Sequence, residues 1–297
     1  MKAISVPVAS FVANLARLRL MLNLPAETVW SAMAFQKAVS IAEVEVLGVM
    51  GAAATSEQSA LIGKRTYEIF CERWPKDGRE MASEVARLEA GLFGKVFSGR
   101  QWLGLEANLT GQITGAWTAF EVLAGDLWEA AINFHPDTLS LLKGPKGKGG
   151  SKAKADEESK SIQIGYLAKH SYDLSQKMGT LLRDKCKWIG IAEIREAYWM
   201  AFDGGDVCDS IDVKCLDNLA SLRNVLVHRA GKVDEKFKRE LSGIAMLRKL
   251  KENELVPVDG ELIKQVLPPA IEACKRLVSA VDDWLVDNKP KDPSHGN

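Results

Sequence analysis

The chain has 297 residues, 46% of them apolar, which is enough to bury a core without disulfide or metal staples. Lys plus Arg and Asp plus Glu both number 39, so the formal net charge is zero and no overall field draws in nucleic acid; an RNA or DNA partner needs a local cleft. The 5 cysteines are widely spaced and form no Cys-x-x-Cys pair, which argues against a zinc site and a disulfide framework and for a reducing, cytoplasmic setting.

In chain order, the amino-terminal apolar run is interrupted by Asn14, Arg17 and Arg19, and no small-residue cleavage site follows, so it is not read as a signal peptide. No stretch reaches the roughly 18 uninterrupted apolar residues of a membrane span, and no membrane partner is expected. Helices are expected over 8–22, 27–50, 56–72 and 78–97, separated by Pro25, Thr55-Ser56 and a turn from Trp74 to Gly78. Residues 1–100 read as a helical module without a recognisable site.

A long helix is then expected from about Asn108 to Phe134, its apolar stripe running through Ile113, Trp117, Phe120, Ala124, Leu127 and Ala131 until His135-Pro136 ends it. The Gly-, Lys- and Ser-rich stretch that follows has few apolar anchors, and 143–160 is expected to be a flexible insertion. It lacks the Gly-x-x-x-x-Gly-Lys-[Ser/Thr] spacing of a phosphate loop. Further helices are expected near 165–185, 191–203, 212–230 and 261–286, punctuated by Gly204-Gly205-Asp206 and by Gly231. The expected fold class is therefore all-α, with a bundle of about five helices over 101–290 and a disordered tail at 291–297.

Chemistry concentrates in the helix expected over 212–230, where Arg223, Asn224 and His228 fall close together. On an ideal helix of about 100° per residue, Asn224 and His228 lie one turn apart and share a face, whereas Arg223 reaches that face only through its long side chain. The same wheel places Arg223 in the apolar arc between Leu216 and Leu219. An always-charged guanidinium there needs a carboxylate or an anionic ligand. Glu121, flanked by Trp117 and Trp128 on the long helix, is the first candidate partner, and Asp126 the second. A structural Arg-Glu pair fixing two helices and an anion-handling site both fit this spacing.

The segment from Leu219 to Gly231, with its Arg-Asn-x-x-x-His core, resembles the signature of the HEPN superfamily. Upstream support comes from Ala116 to Glu121 and from Ile194 to Tyr198 with Phe202, and the resemblance spans roughly 105–287. It implies a HEPN-like helical bundle that forms a homodimer, with signature helices meeting across a cleft. It also implies a metal-independent endoribonuclease of antiviral or toxin systems, needing no cofactor, whose partners are RNA and a neutralising or trigger protein; other members are non-catalytic binding modules. RNA supplies its own nucleophile, the 2′-hydroxyl, so the catalyst needs only a proton-transfer group and donors for the developing phosphorane charge. His228 would move the proton, Arg223 would grip phosphate oxygens with its planar fork, and Asn224 would orient either. The inserted 143–160 stretch and the zero net charge depart from a simple RNA-binding pattern.

Other aromatic and histidine positions read as structural. Tyr198, Trp199, Phe202, Trp102, Trp117 and Trp128 follow helical spacing and are expected in the core, and His135 at a helix end. His170, just after the insertion, is a minor candidate for the site.

Overall fold

The structure, a computed structural model, describes residues 2–73, 99–140, 167–168, 172–174, 176–184, 188, 190–241 and 243–288. The helix expected at 78–97, the 143–160 insertion, His170, the 291–297 tail and the side chain of Trp102 lie outside the described residues. Those described are all-α, with no strand and one isolated bridge, Lys232 to Leu255. No helix among them is long and apolar enough to cross a membrane. Two compact units result, one of Met1–Leu18 with Leu109–Asn297, the other of Arg19–Asn108; the sequence places a single boundary at 100.

The second unit is built from the later part of helix α1 (Ser5–Leu47) and from α2 (Ser56–Arg73). Ala38, Ala42 and Ile69 form its core, with Phe35 edge-on to Phe70 at 5.6 Å. A capping box starts α2: the Thr55 hydroxyl accepts from Gln58 N at 3.3 Å and the Gln58 side chain accepts from Thr55 N at 2.9 Å. Where the sequence suggests two helices divided at Pro25, α1 runs through that residue. Proline removes one donor from the ladder, but the turns on either side keep theirs.

The larger unit is organised around the part of α3 (Gly99–Phe134) from Leu109 onward, whose whole expected stripe is buried, together with Leu123, Trp128 and Ile132. After a short α4 (Pro136–Leu139), α5 (Met178–Arg183) is the one named helix among the described residues where 165–185 is expected. It packs so tightly on α3 that Gly179 N donates to Asn133 Oδ1 at 2.7 Å.

Helix α6 (Ile191–Phe202) is pinned to α3 by two hydrogen bonds between side chain and backbone. Trp128 Nε1 donates to Ala197 O at 3.0 Å and the Tyr198 hydroxyl to Ala124 O at 2.8 Å. Tyr198, Phe202, Trp117 and Trp128 are core residues, whereas Trp199 is half-buried. At its end Asp203 (φ 55°) and Gly204 (φ 111°) turn left-handed, a conformation side chains resist at Gly204, and this turn launches α7 (Gly205–Ile211), a helix not foreseen from the glycine pair.

Helix α8 (Lys214–His228) buries Leu216, Leu219, Leu222 and Val225, while Leu226 is only half-buried. It stops at Gly231 (φ 77°), whose N–H closes back on Val225 O at 3.0 Å. Two unforeseen short helices, α9 (Glu235–Glu240) and α10 (Ala245–Arg248), precede α11 (Gly260–Asp287). Asp259 caps α11 by accepting from Leu262 N at 2.9 Å. Pro268 and Pro269 sit inside it on the exposed side, where carbonyls without a ladder donor reach water. Helices α7 and α8 both pack on α6 and α11, and α8 also meets α9.

Candidate functional site

The last two turns of α8, the first turn of α6 and the length of α9 enclose an open groove of about 430 Å³. Arg223, Asn224 and His228 all line it. Rigid supports hold these walls together. Arg195 on α6 pairs with Asp217 on α8 at 2.6 Å and donates to Ile211 O at 3.0 Å, locking the two helices side by side. Asp234 starts α9 by accepting from Phe237 N at 2.8 Å, and Phe237 is buried against the bundle.

Within the groove Arg223 Nη1 donates to Asn224 Oδ1 at 3.0 Å and lies 3.0 Å from His228 Nε2. A guanidinium only donates, so Nε2 accepts and the ring proton sits on Nδ1. Asn224 and His228 are exposed and Arg223 is half-buried. This corrects the address expected for Arg223. Its stem lies beside the apolar arc, but its charged end runs toward the C-terminal end of the helix onto the polar face, because a long flexible side chain can cover apolar surface while its head stays wet.

The expected carboxylate partners behave differently from each other. Glu121 sits half-buried on α3; burial pushes its carboxyl above the usual range, against a hydrogen bond from Trp117 and the charge of Arg223. No salt bridge joins these two described side chains. Asp126 does not serve Arg223 at all: it pairs with Arg183 on α5 at 2.6 Å, which also holds Glu129 at 2.8 Å. That side of α3 faces α5, so its acid is taken up by the nearer cation. Arg223 is thus held by polar neighbours without a carboxylate sealing it.

The groove also contains residues that sequence reasoning missed. Ser221, Glu193, Asp234 and Glu240 line it beside Arg229 and Lys236. Ser221 was within reach of a helical wheel, since it precedes Asn224 by three positions on α8. Nothing local marks Glu193 or Glu240, which come from other helices. Two of the three acids are engaged: Arg229 pairs with Asp234 at 3.1 Å, and Glu240 accepts from the Ser221 hydroxyl at 3.1 Å and pairs with Lys236 at 3.7 Å.

Elsewhere, two cysteine thiols are quenched by burial. The thiol of Cys208 is pushed up to about 11 and that of Cys274 to about 12, which keeps both from acting as thiolates. Among the described residues no three His, Cys, Asp or Glu side chains group so as to hold a metal ion. Comparison with known proteins finds no matching family model, no matching curated protein and no matching solved structure.

Proposed function

We propose that this protein is a metal-independent endoribonuclease of the HEPN type, in which Arg223, Asn224 and His228 cleave RNA by promoting attack of the 2′-hydroxyl on the adjacent phosphate. One observation carries the reading: a guanidinium bonded to an amide and an imidazole, open to solvent in a groove, with no carboxylate in ion-pair contact with it among the described residues. Phosphate oxygens compete for the same donors, and a bidentate, charge-assisted pair with phosphate is stronger than the bond to a neutral ring. Phosphate binding therefore draws Arg223 off Nε2 and frees the imidazole to move a proton. Asn224, adjacent to the guanidinium, is placed to steady the phosphate. Action as a homodimer in antiviral defence or as a toxin, with a neutralising or trigger protein as a further partner, rests on the resemblance of the signature alone.

A second reading, a binding module without catalysis, is favoured by the three carboxylates in the groove, which weaken its pull on RNA. One experiment separates the two. The full chain is incubated with mixed-sequence RNA in chelator beside His228→Ala. Cleavage to 2′,3′-cyclic phosphate ends by the parent protein, loss of it in the variant, and no cleavage of DNA are expected. Equal cleavage by the variant overturns the mechanism, and binding without cleavage by the parent selects the module.

A further inference from the structure

We infer that Glu193 is the second proton-transfer group of this groove, the base that takes the 2′-hydroxyl proton while His228 returns one to the departing 5′ oxygen; the inference rests on the nuclease reading above. Three carboxylates line the groove, and Asp234 and Glu240 already hold Arg229 and Lys236. Among the described residues, Glu193 alone of the three has no hydrogen bond or ion pair. It shares the groove with the guanidinium that would bind phosphate, so its carboxylate is open to a proton of the bound RNA.

Its placement is specific. Glu193 stands in the first turn of α6, where a Cβ on Gly190 would approach its Oε2 to 3.1 Å. The φ of Gly190 is −165°, extended backbone open to any residue, so a side chain there would crowd this carboxylate rather than strain the backbone. The neighbouring Arg195 and Tyr198 anchor α6 to α8 and α3, which fixes the acid relative to His228.

The chemistry needs such a group. Cleavage breaks O2′–H, forms O2′–P, breaks P–O5′ and forms O5′–H, with no change of oxidation state. One group must accept a proton and another must give one. In the free groove His228 Nε2 is occupied by Arg223 and is not available as a base, whereas Glu193 is. Once phosphate has drawn Arg223 away, Nε2 takes a proton beside the bound anion and delivers it to O5′; exchange with water then resets both groups. One chain holds both groups, and the second subunit's imidazole is not required for the chemistry.

The test compares the full-length parent protein, Glu193→Gln, Glu193→Asp and His228→Ala on two RNAs, one natural and one with sulfur replacing the scissile 5′-bridging oxygen. A thiolate leaves without a proton. On the natural RNA, Glu193→Gln and His228→Ala each lose about 10²- to 10⁴-fold in kcat with KM little changed, and Glu193→Gln loses the acid limb of the pH profile. Glu193→Asp keeps that limb. On the sulfur substrate His228→Ala recovers and Glu193→Gln does not. A Glu193→Gln protein with parental kcat, or one rescued by sulfur, overturns the role of Glu193 while leaving His228 in place. A parent protein that cuts neither RNA overturns the nuclease reading and this inference with it. Unchanged helical circular dichroism keeps lost activity distinct from lost fold.

Discussion

Arg223 and His228 stand five residues apart on one helix, yet their side chains meet at 3.0 Å. Positions five apart do not face each other on a helix, so the contact exists only because the arginine stem reaches forward along α8 toward its C-terminal end. Lysine offers a point charge in place of a planar fork and cannot grip two phosphate oxygens side by side. Arg223→Lys should therefore lower kcat/KM for RNA cleavage by at least about 10²-fold, the scale of one lost charge-stabilising donor. Because the side chain is half-buried, the thermal midpoint should stay close to the parent value. Steady-state kinetics beside a melting curve checks both.

Glu121 is penalised by burial more than it gains from Trp117 and Arg223. Its folded carboxyl therefore holds a proton to higher pH than the unfolded one, and ionising it lowers stability as pH rises through the usual carboxylate range. Glu121→Gln should raise the melting temperature at pH 7 and have less effect at pH 4. Melting curves at the two pH values decide it, and a lower melting temperature at pH 7 would mean that the attraction to Arg223 outweighs burial.

His135 is buried between Phe134 and Trp284, with ring centroids at 5.3 and 5.4 Å, and its Nε2 has no partner among the described residues. Burial lowers its pKa against the opposing charge of Asp137. The unfolded chain then binds the proton first, so stability is lost as pH falls below about 6.5. In His135→Phe the decline in melting temperature between pH 7 and pH 5 should be shallower than in the parent protein. An unchanged slope would assign the acid sensitivity to other groups.

Two glycines on the α3–α5 contact should differ in tolerance. A Cβ at Gly179 runs into the Glu129 carbonyl, which is backbone, whereas one at Gly125 meets the Arg183 guanidinium at 2.5 Å, the mobile end of a side chain. Gly179→Ala should cost about 1–3 kcal/mol by overpacking, with Gly125→Ala costing less. Urea denaturation of the two variants measures the difference.

Much of the helical plan follows from spacing alone. The stripe from Ile113 to Ala131 is buried as its period demands, and Gly231 ends α8 in the left-handed turn expected of it. Short helices escaped. Gly205–Ile211 and Glu235–Glu240 span too few turns for periodicity to register, and tertiary packing holds them. The clip that joins Gly231 and Val233 to 253–256 is equally silent in sequence, because its bonds are all between backbone groups.

The sequence by itself determined which residues share a face: the three to four residue repeat dictates it, and Asn224 and His228 come together for that reason alone. Tertiary structure decided who meets them. Asp126 and Glu121 lie on the same helix, yet one is claimed by Arg183 and the other only feels the charge of Arg223. Glu193 reaches the groove because α6 is clamped beside α8. Pairings of this kind depend on how helices cross and how far their side chains reach, and that geometry arises from the packing of the whole core.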